Sequence, residues 1–79
     1  MVKPGMAYLD ILYRIRKASL KPLAVYQVSG EYSMIKLAAA AGVLDERAVV
    51  NETLLAFKRA GADLIISYFA EAIADWSRP

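Results

Sequence analysis

From Ala7 to about Ala18 the apolar residues Tyr8, Ile11, Leu12 and Ile15 recur at helical spacing, while Asp10, Arg14 and Lys17 fall off that stripe. Residues three and four apart share one side of a helix, so this stretch predicts an amphipathic helix with one buried face. Ahead of it, Met1-Val2-Lys3 reads as the end of a strand that Pro4-Gly5 breaks. Behind it, Lys21-Pro22 closes the connection, and Leu23 to Val28 (LAVYQV) follows as a short apolar run with β-branched residues. Such a run predicts a strand covered on both faces.

Ser29-Gly30 ends that strand and opens a second helix, which runs through Met34, Ile35, Leu37 and Ala38 to Ala41 and stops at Gly42. Asp45 is placed as the N-cap of a third helix, with Glu46 in the first turn, where the helix dipole favours negative charge. Val49, Val50, Leu54 and Phe57 form the inward face of that helix; Lys58 and Arg59 lie in its last turn, and Gly61 ends it. Asp63 to Phe69 (DLIISYF) predicts a further strand, and Ala70 to Trp76 a short final helix.

Strands that alternate with helices need crossover connections and form a parallel sheet. Three such strands cannot close a barrel, and as an open sheet they leave two unpaired edges. The expected fold class is therefore α/β. Residues 1–79 form a single unit of parallel strands alternating with helices, an incomplete set of βα units from a larger (β/α)8 TIM barrel.

Composition sharpens that expectation. The chain has 79 residues, 58% of them hydrophobic and 23% charged. A domain this small has little interior, so so much apolar content implies faces meant to be covered by protein outside these residues. The net charge is +2, from 10 Lys and Arg against 8 Asp and Glu. The only basic cluster (Arg14, Arg16, Lys17, Lys21) reads as a solvated helix face and not as the dense stripe that nucleic acid needs. No apolar run approaches the roughly 18 residues of a membrane span, and the N-terminus lacks the pattern of a signal peptide. With no Cys and no His, disulfides and Ser-His-Asp or Cys-His catalysis are excluded within the chain. A zinc or copper site built from it alone is also disfavoured.

Reactive groups in parallel α/β proteins gather where strands end. That rim receives Lys3, the pair Tyr26 and Ser29, and Tyr68. A lysine at a strand end is either an ordinary surface cation or an amine nucleophile that condenses with a carbonyl to a Schiff base. The second role needs the neutral amine, whereas an ordinary lysine holds its proton to about pH 10.4. Ser29 either caps the following helix or, with the free N–H of Gly30, receives a carboxylate or phosphate at the helix N-terminus. Tyr68 either packs with its OH satisfied or donates to that carboxylate. Tyr26, Val28 and Phe69 are candidates for an apolar wall.

The segments MVKPGMAYLD, AVYQVSGEYSMIK and LLAFKRAGADLIISYFA resemble successive blocks of the porphobilinogen synthase (5-aminolevulinate dehydratase) family, in order and spacing. Together they cover nearly the whole chain, and VKPG followed by YQVSGEY is their most specific part. The resemblance implies the C-terminal portion of a TIM-barrel catalytic domain. It also implies a lyase that condenses two molecules of 5-aminolevulinate to porphobilinogen in tetrapyrrole and heme biosynthesis. By the same resemblance, Lys3 forms a Schiff base with substrate, Ser29 and Tyr68 bind a substrate carboxylate, and Tyr26 and Val28 line the pocket. Gln27 stands where some members carry histidine, which places the chain nearer the bacterial and plastid forms. Ser67 stands where threonine is usual.

A second active-site lysine, the metal ligands and the arm through which members assemble all lie upstream in the family and have no counterpart here. The resemblance thus implies no cofactor within this chain, although family members use zinc or magnesium. It implies 5-aminolevulinate as partner, neither nucleic acid nor membrane, a homo-oligomeric parent enzyme, and a cytoplasmic (bacterial) or plastid-stromal location. These 79 residues alone are then expected to be inactive. The alternatives are a non-catalytic folded remnant or self-association module derived from the barrel, and a Schiff-base aldolase of another substrate class.

Overall fold

The computed structural model describes residues 1–78. Its elements are a short 3-10 turn (Met6–Tyr8), α1 (Leu9–Ala18), β1 (Ala24–Gln27), α2 (Ser29–Ala40), α3 (Glu46–Ala60), β2 (Leu64–Ser67) and α4 (Ala70–Trp76). β1 and β2 pair in parallel, Ala24 opposite Leu64, Val25 opposite Ile65, Tyr26 opposite Ile66 and Gln27 opposite Ser67. Two helices separate them in sequence, a connection long enough for a parallel pair.

The strand expected at Met1–Lys3 is reduced to one parallel bridge between Val2 and Val25. The Val2 N–H donates to Ala24 O and the Tyr26 N–H to Val2 O, each at 2.9 Å. Pro4 has no N–H to continue the ladder. β2 is also shorter than expected. Ser67 Oγ accepts the Phe69 N–H at 3.0 Å and turns the chain towards α4 before Tyr68 and Phe69 can join the strand.

Alternation along the strands separates two faces. Val25 and Gln27 are buried beneath the helices, and Ile65 packs beside them. On the opposite face Leu64, Ile66 and Tyr68 stand largely exposed. The sheet is thus covered on one side and open on the other, which accounts for the apolar excess of the sequence. Under the helices, Val2, Leu12, Leu23, Val25 and Phe57 form one core cluster, and Ile35, Val50 and Phe69 form a second. Phe69 therefore belongs to the core, where it faces α2 and α3, and not to a pocket wall.

The stripe expected on α1 divides. Leu12 is fully buried against α3, whereas Tyr8, Ile11 and Ile15 are 47%, 39% and 39% exposed. The helix rests on α3 through one edge of its apolar face. The other edge, with Tyr8, Ile11 and Ile15, lines an open cleft beside Val2. Arg16, expected on a solvated face, is half-buried instead and pairs with Asp63 at 2.7 Å. Val49 and Leu54 are half-buried, and Val50 and Phe57 carry the inward face of α3.

Two glycines are required where they stand. Gly61 ends α3 in the left-handed region (φ 110°), and a Cβ there would run into the aliphatic stem of Arg16. A Cβ on Gly5 would strike Val25 Cγ2 and lie 2.9 Å from Phe57 Cε1. The loop after Lys3 can therefore lie flat on the core only with glycine at that point.

Candidate active site at the strand ends

Because the pairing is parallel, Lys3, Val28-Ser29 and Tyr68 leave the sheet at the same edge. Tyr26 and Tyr68 meet there: the Tyr26 O–H donates to the Tyr68 hydroxyl at 3.2 Å, and the ring centroids lie 6.4 Å apart. Tyr68 also packs against Tyr32 of α2, with centroids 5.6 Å apart. With Ile66 and Ser67 the two tyrosines line a cleft of 240 Å³ on the open face of the sheet. The hydrogen bond to Tyr68 is the main reason that the Tyr26 phenol is raised above its usual 10.0. Desolvation and the nearby Tyr68 charge act in the same direction.

Lys3 and Ser29 are both exposed, and among the described residues no side-chain hydrogen bond joins either to the tyrosine pair. Lys3 lines a second, shallower cleft of 330 Å³ beside Met1, Tyr8, Ile11 and Ile15. Val28 is half-buried at the end of β1. Ser29 does not cap α2. The cap residue is Val28, and the Val28 N–H is taken by Oε1 of Glu31 at 3.2 Å, which leaves the Ser29 hydroxyl free of that duty.

Sequence reasoning missed the polar groups beneath this rim. Glu31 is buried, and its Oε2 accepts the Met6 N–H at 2.7 Å. Gln27, also buried, accepts the Ser67 O–H on its Oε1 and directs its Nε2 at the Met6 sulfur, 3.3 Å away. A Glu three residues past a Ser, Thr, Asp or Asn cap is the usual signal for such a contact. Valine at the cap position hides it here. The described residues hold no group of three Asp or Glu side chains that could bind a metal ion. The chain has no Cys and no His, so it offers a zinc ion neither thiolate nor imidazole.

Parallel βα units that bring polar groups to the carboxyl ends of their strands place this chain in the α/β class, whose sites form at that rim. Its membership is specific: the chain belongs to the delta-aminolevulinic acid dehydratase family, whose model matches residues 1–76. The chloroplastic delta-aminolevulinic acid dehydratase of Physcomitrium patens is 57% identical over 76 residues, which are 96% of this chain and 18% of that protein. The Escherichia coli (strain K12) enzyme of the same name is 59% identical over 75 residues, 95% of this chain and 23% of that one.

Among solved structures, delta-aminolevulinic acid dehydratase (porphobilinogen synthase) of Toxoplasma gondii ME49, in complex with the reaction product porphobilinogen, superposes with a TM-score of 0.94 at 50% identity. The match covers 96% of this chain and 22% of that one. The fold is therefore α/β, made of TIM-barrel βα units, and the chain spans between 18% and 23% of the length of these relatives. No helix among the described residues is long and apolar enough to cross a membrane.

Proposed function

We propose that these residues supply part of the substrate site of a porphobilinogen synthase, a lyase that joins two molecules of 5-aminolevulinate. The observation that carries this reading is the Tyr26–Tyr68 hydroxyl pair at the strand ends, on the same edge as Lys3 and Ser29. Family membership and the porphobilinogen bound by the Toxoplasma relative support it.

Lys3 is the amine nucleophile. Its lone pair adds to the ketone carbon of 5-aminolevulinate, the nitrogen gives up its protons, and the ketone oxygen leaves as water, forming the imine. The Ser29 hydroxyl and the Tyr68 phenol donate to the substrate carboxylate, assisted by the N-terminus of α2. The Tyr26 phenol, engaged with Tyr68, orients that donor, and Val28 closes one side. Holding the carboxylate fixes the carbon that must react, which gives the advantage of an intramolecular step.

The second lysine and the metal ligands belong to the larger part of a family member, as do the remaining barrel walls and the homo-oligomer contacts. The 79 residues alone are then inactive. Matches that run through residues 1–76 give no support to a non-catalytic remnant or to an aldolase of another class.

The test is kinetic, in a chimera in which residues 1–76 replace the stretch they match in the Escherichia coli relative. Lys3→Ala should abolish turnover. Ser29→Ala and Tyr68→Phe should act mainly on KM for 5-aminolevulinate, since each removes a donor to bound substrate. Full turnover in Lys3→Ala would reject the reading.

A further inference from the structure

Glu31 is a carboxylate only 4% exposed, and none of the ion pairs among the described residues involves it. Burying an ionised carboxylate is costly unless hydrogen bonds replace its water. Both oxygens are engaged, and both partners are backbone. Oε2 takes the Met6 N–H at 2.7 Å and Oε1 takes the Val28 N–H at 3.2 Å. Met6 lies three residues after Lys3, on the loop that Lys3 opens. Val28 immediately precedes Ser29. One planar group thus joins the loop that carries the proposed nucleophile to the helix start that carries the proposed carboxylate-binding hydroxyl, although Met6 and Glu31 are 25 residues apart in sequence.

The Lys3 loop is held from its other side as well. The Gly5 N–H donates to Tyr26 O at 2.9 Å, and Gly5 itself lies flat on Val25 and Phe57. Two consecutive amides, Gly5 and Met6, are therefore fixed, one to β1 and one to the first turn of α2. A helix cap alone would need only the contact to Val28. The second contact, to a loop outside the helix, adds nothing to the cap. It ties the loop that follows Lys3 to the first turn of α2.

From this geometry we propose that Glu31 is a positioning residue of the substrate site, a rigid bridge that holds the Lys3 loop in register with the Ser29 helix terminus. The proposal rests on the assignment of Lys3 and Ser29 made above. Glutamine at this position keeps the size and one acceptor oxygen, but it turns an NH2 donor onto one of the two N–H groups, so one loop is released. Substrate is then still bound at Ser29 and Tyr68, while the amine that must reach its ketone drifts.

Two measurements test it. In the unsubstituted chain, hydrogen exchange should show both the Met6 and the Val28 amides slowed by at least ~100-fold relative to an open peptide. A freely exchanging amide at either position means that the bridge does not form, and overturns the proposal without any variant that must fold. In the chimera, Glu31→Gln should lower kcat by ~10- to 100-fold, the scale of a misplacement of about 1 Å, with KM within ~3-fold of its starting value.

Asp45→Ala is the control. It removes the N-cap of α3, where Asp45 Oδ1 accepts the Ala48 N–H at 3.0 Å, and it should lower the melting temperature with kcat unchanged. A Glu31→Gln enzyme that also loses only melting temperature would show a purely structural carboxylate, and the proposal falls. Full turnover in Lys3→Ala, with Met6 and Val28 still protected, would instead reject the function assigned to Lys3 and leave the bridge as a structural contact.

Discussion

The Tyr26 hydroxyl donates to the Tyr68 hydroxyl across 3.2 Å, joining residues 42 apart in sequence at the carboxyl end of the parallel pair. The contact follows from register. Tyr26 lies opposite Ile66, so the side chain two residues beyond Ile66 on the same face is Tyr68, and two long phenols meet across the diagonal.

The first prediction comes from that hydrogen bond. It raises the Tyr26 phenol above 10.0, with desolvation and the Tyr68 charge adding to it. A folded-state value above the unfolded one contributes stability that is fully present below pH 10.0 and is lost as pH rises through the folded value. Tyrosinate absorbance of the chain should therefore show one phenol titrating late. In Tyr68→Phe that phenol should titrate at lower pH. An unchanged titration would mean that the two hydroxyls do not meet.

At the opposite edge of the sheet, Asp63 Oδ2 accepts the Leu23 N–H at 2.8 Å and Arg16 Nη2 at 2.7 Å. The Leu23 N–H is the main reason that its carboxyl lies below the usual 3.8; desolvation opposes it, and the charge and hydrogen bond of Arg16 act in the lowering direction. A depressed value contributes stability that is present above pH 3.8 and lost as pH falls through the folded value. Asp63→Asn should lower the urea midpoint at neutral pH, and the gap to the unsubstituted chain should close in acid. A gap that persists at the lowest pH would assign the effect to packing and not to charge.

The third prediction separates the two faces of the sheet. Phe57 is fully buried between Val25 and Leu12, whereas Leu64 is 61% exposed on the open face. Phe57→Ala should cost about 3–5 kcal/mol, as truncation of a buried aromatic does. Leu64→Ala should stay within about 0.5 kcal/mol. Urea unfolding of the chain measures both. A large loss at Leu64 would show that the open face is already covered, for instance by a second copy of the chain.

Elements defined by local chemistry were legible in the sequence. The Asp45 cap, the Gly61 stop and the helix from Ala70 to Trp76 depend on a few neighbouring residues, and the structure shows them as expected. Features set by distant partners were not. The α1 stripe divides because α3 covers one edge of it and nothing among the described residues covers the other. No residue within the stripe carries that information. Arg16 leaves the solvated face because Asp63, 47 residues away, meets it.

At the candidate site the strand-end positions of Lys3 and Ser29 could be read from the breaks after their apolar runs, whereas Tyr68 lay inside the expected strand and stands just past the one that ends at Ser67. The link between Tyr26 and Tyr68 needed the register. Glu31 was hidden by the valine at its cap position, and Gln27 reads as an ordinary polar residue within a strand until Ser67 is found opposite it.

Borohydride trapping asks whether Lys3 is the amine that condenses with 5-aminolevulinate. The chimera is incubated with 5-aminolevulinate, reduced, and mapped by mass beside its Lys3→Ala variant. A reduced substrate adduct on Lys3, absent from the variant, is the predicted result. An active chimera with no adduct on Lys3, or with its adduct only on another lysine, would rule Lys3 out as that amine.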